Sequence, residues 1–512
     1  MQVGDAARPI ATGLAIVSVG VLAGTITLLS VTQLRPILLL FALGGLILLI
    51  PPFLMRDSRV YWLFLLVASI PFDIHKSLTR WIVEPEELIE LYGSPATGTA
   101  SIDLYLTDAV LVAMVLPWIA RLCLKRDRLY FPNVGYLFVL YLAVSLIVSL
   151  LGAEALSLAL LELGRQTLYF VSFIYFINNI VTPAQLRAVM LALLVGLGVA
   201  SGSVIGFSAL GIGTDTEAFS ALYGGNDLTS AHKRVYQKDT MYTTLEDPSQ
   251  LGPSASKRSE GIFSHPGIAA AYCGLTVPVA LALLITTRRT SDALLFGGFV
   301  SAGFLASYLT YSRAGLVALL GGCMVVFLAG RWARLVSQQH FVAGIFIIAA
   351  AAVASLPLLV AFLELRPESF SKRFEYLDMT IEAYIQRPIL GAGLNNGTIA
   401  VKEGAQKIKN GPTSASTGTI NSHYLIILTE GGLVGFVLFF GFIGRIISIG
   451  LGAMRAAETE MKAILVGAIG GLTSLATQNV ADNAFGGHSI SALLWLFLGL
   501  IVVISRRVRA GA

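Results

Sequence analysis

Residues 421–450 read NSHYLIILTEGGLVGFVLFFGFIGRIISIG. After a polar start the run stays apolar for longer than the roughly 20 residues a helix needs to cross the hydrocarbon core of a bilayer. The same ruler applied outward gives about fourteen candidate spans. They lie near 10–31, 36–55, 60–73, 104–123, 134–151, 158–180, 184–211, 264–287, 293–312, 314–331, 341–364, 423–448, 461–481 and 487–505. The segment 60–73 is short, and 158–180 carries Glu162 and Arg165. The expected fold is therefore all-α: a single polytopic membrane domain over 1–512, with the first run a transmembrane helix and not a cleaved signal.

Composition agrees. Of 512 residues, 55% are hydrophobic and 13% charged, about half the charge of a soluble domain. Mean hydropathy is +0.77. Fifty-one glycines suit close helix packing in lipid, where small residues let backbones approach. Cys123, Cys273 and Cys323 lie in or beside apolar runs without paired spacing, so neither a disulfide framework nor a zinc site is expected. His75, His232, His340 and His488 show no metal spacing, and no metal or cofactor is expected. A net charge of +5 is small for this length, and nucleic acid is not an expected partner.

Basic residues set the orientation. Arg56 and Arg59; Lys125, Arg126 and Arg128; Arg187; Arg288 and Arg289; Arg331 and Arg334; Arg455 and Lys462; and Arg506, Arg507 and Arg509 fall in alternate turns. The positive-inside rule puts those turns, and both termini, in the cytoplasm. The three long polar segments, 74–103, 212–263 and 365–422, then face outside. Within the third, Phe370, Phe374, Leu377, Ile381 and Tyr384 recur at helical spacing between Pro367 and Pro388. This reads as the apolar stripe of an amphipathic helix that can lie on a membrane surface.

Candidate chemistry gathers at the outer face. Ser422 is placed to cap the helix that His423 opens, and the positive end of a helix dipole favours neutral imidazole, which suits a general base. The plain alternative is an interfacial polar residue bonded to a loop carbonyl. Glu430 lies two turns deeper, where an acid is either functional or a bond between helices. Arg313, in Tyr311-Ser312-Arg313-Ala314-Gly315, either snorkels to the interface or grips a phosphate with its planar fork. Arg373 flanks the amphipathic stripe and reads either as a lipid-headgroup contact or as a substrate contact. Arg258 and His265 sit in Lys257-Arg258-Ser259-Glu260-Gly261-Ile262-Phe263-Ser264-His265-Pro266-Gly267, where Pro266 marks a helix entrance. Arg165 and Asp482, near outer helix ends, read as structural. The acidic cluster Glu84, Glu86, Glu87 and Glu90 reads as a solvated face, since no ligand spacing accompanies it. Two cations and one base at one depth suit a phosphorylated donor and a hydroxyl acceptor.

At four stretches in order the chain resembles the O-antigen ligase and polymerase superfamily. These are Arg258 to Gly267, Ser312-Arg313-Ala314-Gly315, Arg373 through Pro388-Ile389-Leu390-Gly391-Ala392-Gly393, and Asn421-Ser422-His423 with Glu430-Gly431-Gly432. They span about the last half of the chain. The resemblance implies a metal-independent, inverting membrane glycosyltransferase of the GT-C type in the bacterial inner membrane, with its site facing the periplasm. Its donor would be a glycan on undecaprenyl diphosphate, and its acceptor a sugar hydroxyl on a lipid-linked glycan or on the lipid A core. By match, Arg313 and Arg373 would hold the diphosphate and His423 would be the base. Arg258, Glu430 and His265 join them as candidate substrate contacts. The N-terminal half does not clearly match. Chain length and the 212–263 insertion favour a polymerase of exopolysaccharide or O-antigen over a ligase. A lipid-linked oligosaccharide transporter is the alternative from another class; it would bury charge near the midplane or show paired repeats with broken helices.

Overall fold

The computed structural model describes residues 58–72, 75–77, 103–210, 259–263, 265–365, 368–407, 420 and 422–511. The expected spans 10–31 and 36–55, most of the segments 74–103 and 212–263, Arg258 and the acidic cluster at 84–90 lie outside these residues.

Each remaining expected span is a helix. They are α1 (Ser58–Ser69), α2 (Leu106–Cys123), α3 (Gly135–Gly152), α4 (Leu156–Asn179), α5 (Pro183–Leu210), α6 (Pro266–Thr286), α7 (Thr290–Leu309), α8 (Arg313–Trp332) and α9 (Gln338–Leu365). After α10 (Glu368–Gln386) and α11 (Gly397–Lys407), the chain continues into α12 (His423–Met454), α13 (Thr459–Gln478) and α14 (His488–Gly511). Among the described residues nine helices are long and apolar enough to cross a membrane. The fold is an all-α polytopic membrane protein, with one small exception among the described residues: β1 (His75–Ser77) pairs antiparallel with β2 (Asp103–Tyr105). That pair ties together the two ends of the first long polar segment.

The centre of the bundle is α14, whose membrane-length window is wholly buried. Trp495 on it meets Phe138, Phe170, Phe173 and Phe442 from three other helices, with ring centroids 4.7 to 6.1 Å apart. Helices α6, α8 and α13 pack by backbone approach. A Cβ on Gly322 would stand 2.7 Å from the Gly470 carbonyl, and one on Gly467 would stand 2.6 Å from the Val279 Cα. Small residues allow this closeness, and dispersion between helices replaces a hydrophobic drive that lipid does not supply.

Contacts sort the helix ends. The starts of α6 and α8 touch where a Gly315 Cβ would strike Ala270. Gln478 at the end of α13 donates to the Gly267 carbonyl at 2.8 Å, and the start of α12 donates to the Asn479 carbonyl at 3.2 Å. The starts of α2 and α14 meet at Asp108 and His488. The opposite end carries the basic turns. There Arg59 and Arg121 pair with Asp127, Arg187 pairs with Glu460, and Arg455 covers the Trp332 ring.

The amphipathic helix is present as α10, but its buried face differs from the expected stripe. Met379, Thr380 and Ala383 are buried. Met379 and Ala383 pack with Val401 of α11, with Ile420 before α12 and with Ile426 in its first turn. Ile381 is 41% exposed and Ile385 59%. In a membrane protein large apolar residues need not face protein, because lipid accepts them as well. Met379, Thr380 and Ala383 therefore take the protein contact, and the two isoleucines are left outside.

Candidate active site

His423 is the first residue of α12, and several elements fix it. Its backbone N–H donates to the Asn479 carbonyl at 3.2 Å. Its Nδ1 stands 3.0 Å from Oδ1 of Asn483, and its ring lies 4.5 Å from that of Phe485. Ser422 occupies the N-cap position with extended backbone, but its hydroxyl donates to the Asn479 carbonyl at 3.2 Å and does not cap the helix. The turn after α13 thus offers one carbonyl to two donors and replaces the expected local cap.

Two turns into α12 the helix breaks. Gly432 has φ 60° and ψ −167° inside it. The loop after α10 fills the break. Ala392 and Gly393 donate to the carbonyls of Thr429 and Glu430, each at 2.9 Å, and Leu433 and Val434 donate to those of Pro388 and Ile389 at 2.9 and 3.1 Å. Freed backbone groups at membrane depth must find protein partners, and this loop supplies them. The motif pairing of Pro388–Gly393 with Glu430-Gly431-Gly432 is therefore a backbone clasp. Gly391 and Gly393 take φ of 76° and 95°, where a side chain would be strained. The other edge of the clasp docks on the α3–α4 turn. Arg387 donates to the Gly152 carbonyl at 2.9 Å, and the Asn396 carboxamide oxygen accepts from Ala155 N–H at 2.8 Å.

Glu430 is buried beside this clasp. Its Oε1 accepts from the Gly397 N–H at 3.3 Å, which sets a carboxylate at the start of α11, where a helix dipole favours one. His265 is the N-cap of α6, and its Nδ1 accepts from the Gly267 N–H at 3.0 Å. Asp482 crowds the same helix start, since a Cβ on Gly267 would stand 2.7 Å from its Oδ2. Arg313 opens α8 after a tight turn in which Tyr311 has φ 51° and Ser312 accepts from the Gly315 N–H at 3.2 Å. The Arg313 side chain is half-buried. The backbone of Arg373 lies on α10, six residues before the buried Met379, about 9 Å along the helix. Arg258 lies outside the described residues. Ser259, next to it, is pinned between helix ends by the Leu309 and Val204 carbonyls.

Sequence reasoning left out two features of the site. Arg165, read as structural, lies with Glu162 within electrostatic reach of His423. The two pair at 2.9 Å, and Gln166 donates to the same carboxylate at 2.8 Å. Tyr141 lies within electrostatic reach of both Glu162 and Glu430. Tyr169 and His488 bond at 2.9 Å, with the Tyr105 ring stacked on His488 at 3.8 Å. The i,i+3 spacing of Glu162 and Arg165 is a readable sign of such a buried pair. Asn483 is the second omission, and no local pattern in the sequence marks it. No group of three or more metal-ligating side chains occurs among the described residues.

A base candidate on a broken helix, with Arg313 at the start of α8, suits transfer to a hydroxyl from a donor with an anionic leaving group. A comparison with curated proteins finds no match. Residues 298–440 match the family model described as O-antigen ligase, a stretch that contains Arg313, Arg373, His423 and Glu430 and excludes Arg258, His265 and Asn483. The members of this family are glycosyltransferase-like enzymes and imply lipid-linked glycans and a bilayer as partners. Through that stretch, less than a third of its length, the chain is similar to the O-antigen ligase family.

Proposed function

We propose that this protein transfers a glycan from undecaprenyl diphosphate to a sugar hydroxyl at the periplasmic face of the bacterial inner membrane. The acceptor hydroxyl oxygen forms a bond to the anomeric carbon while the bond from that carbon to the diphosphate oxygen breaks. The diphosphate leaves with the electron pair, and the hydroxyl proton passes to the His423 imidazole. One displacement inverts the anomeric centre. Arg313 and Arg373, with Arg258, balance the charge that grows on the leaving group. His265 and Glu430 stand in supporting places, each bonded to the start of a helix. The reaction runs without a metal.

The observation that carries this reading is the anchoring of His423. Backbone and ring are both held, within the stretch that matches the family, on a helix whose break a clasp has filled. The basic turns at the opposite end support a cytoplasmic assignment for that end, and hence an outward site.

Length and the 212–263 insertion favour repeated transfer onto a lipid-linked glycan, in exopolysaccharide or O-antigen polymerisation. The description of the matched family favours a second reading, a single transfer to lipid A core. Purified protein given an undecaprenyl-diphosphate glycan in EDTA separates the two. A ladder of longer lipid-linked products, lost in Arg313→Ala, supports the polymerase. One product formed only when lipid A core is added supports the ligase. Movement of labelled lipid across a bilayer with no transfer product overturns both in favour of a transporter.

A further inference from the structure

We propose that Asn483 is a positioning residue that fixes the proton of His423 on Nδ1 and so leaves the Nε2 lone pair to act; the inference rests on the base role given to His423 above. Asn483 Oδ1 stands 3.0 Å from Nδ1. A carboxamide oxygen only accepts, so Nδ1 must be the donor. In a neutral ring the other nitrogen then carries the lone pair. Among the described residues Nε2 of His423 has no hydrogen-bond partner. The residue is only partly buried, so the ring is not sealed away.

The group that does the holding is itself held. The Asn483 N–H donates to Asp482 Oδ1 at 3.0 Å, and its carbonyl accepts from Gly486 N–H at 3.3 Å. Phe485, whose ring is tilted against that of His423, has its N–H bonded to Asn479 Oδ1 at 3.3 Å. Asn479 and Asn483 therefore bracket one short turn that fixes the His423 backbone, one ring nitrogen and one ring face. A third group that orients a base and sets its tautomer is a recurring device in hydroxyl activation. The charged groups near the ring, Glu162 and Arg165, act from α4, and no charge is bonded to Nδ1. Asn483 thus orients the ring without adding charge to it.

The tautomer can be read without any substrate. The chain has six histidines, so ring-15N-labelled protein in lipid vesicles gives a tractable nitrogen spectrum. It would be recorded at about pH 8, above the ordinary imidazole range. The difference from His423→Ala isolates the one ring. We expect a protonated Nδ1 and a bare Nε2, with Asn483→Leu converting much of the signal to the other tautomer. A bare Nδ1 in the unaltered protein, or a spectrum unmoved by Asn483→Leu, overturns the inference.

In the transfer assay, Asn483→Leu should lower kcat by on the order of 10²-fold, within the range a general base supplies, with KM changed less than about twofold. Asn483→Asp, which keeps an acceptor, should retain kcat within about tenfold. Equal losses in both variants, or full activity in Asn483→Leu, sink the positioning role while leaving the base intact. Full activity in His423→Ala sinks the base, and this inference with it. Thermal unfolding of each variant, expected within a few degrees of the parent, shows that the loss is not one of folding.

Discussion

Two helix mouths at one end of the bundle each begin with a histidine, and they use it in opposite ways. At the start of α6, the His265 Nδ1 accepts from the Gly267 N–H of its own helix. The proton of that ring is then on Nε2, and its lone pair is spent on capping. At the start of α12, the His423 Nδ1 faces the Asn483 oxygen. Its helix start is held by the Asn479 carbonyl, and the ring takes no part in capping. A helix start by itself therefore says little about function. What separates a cap from a base candidate is which nitrogen the surroundings consume.

The sharpest way to break the comparison is to damage the clasp that supports only the α12 mouth. Gly432→Ala would force a side chain into left-handed backbone and against Ile389 and Leu390. Such strain costs about 1–3 kcal/mol, and the misplacement of His423 should remove nearly all transferase activity. A variant that keeps activity and thermal midpoint would show that the break is not needed.

At the α6 mouth, Gly267→Ala should act through stability. The added Cβ would stand 2.7 Å from Asp482 Oδ2 and 2.9 Å from His265 Nδ1, and overpacking of this kind costs about 1–3 kcal/mol. We expect a lower thermal midpoint, with kcat of the folded fraction reduced less than about threefold. A kcat loss as large as that of a His423 variant would mean that the α6 mouth is also chemical.

The smallest effect concerns the clasp's neighbour, α11. Glu154, in the turn after α3, has its pKa raised to about 7, first by a hydrogen bond to Glu403 of α11 and then by burial. A raised carboxyl contributes stability below its unfolded value, and loses that contribution as pH rises through the folded one. Docking of α11 should therefore loosen between about pH 5 and 8. Hydrogen exchange along α11 should speed up across this window and become flat in Glu154→Gln. Equal pH dependence in both proteins would refute the shared proton.

The same contrast explains what was legible in the sequence. Spans were readable because lipid imposes a length and a composition on each helix. The alternation of Arg and Lys turns was readable because it reflects insertion and needs no tertiary contact. His423 was singled out by its place after a long polar segment. Its partner was not, because Asn483 lies 60 residues away and only the packing of α12 against α13 brings it near. The clasp was visible as glycines in two motifs, but their pairing across a broken helix depends on positive φ at Gly391, Gly393 and Gly432, which spacing does not reveal. The face of α10 was rotated for a related reason: hydrophobic periodicity locates an apolar stripe but does not say whether protein or lipid covers it. Arg165 reads as structural from its place near an outer helix end, and its pairing with Glu162 beside the base candidate emerges only in the fold.

The measurement that bears most directly on this account sets the two mouths side by side. Wild type, His423→Ala and His265→Ala would be purified in parallel and given an undecaprenyl-diphosphate glycan with EDTA present. We predict that His423→Ala lowers product formation by at least about 10²-fold, the size of a lost general base. His265→Ala should cost about 1 kcal/mol of stability, as the loss of a cap does, and leave the rate of folded protein within about threefold. Full activity in His423→Ala, or a chemical loss confined to His265→Ala, would contradict the account.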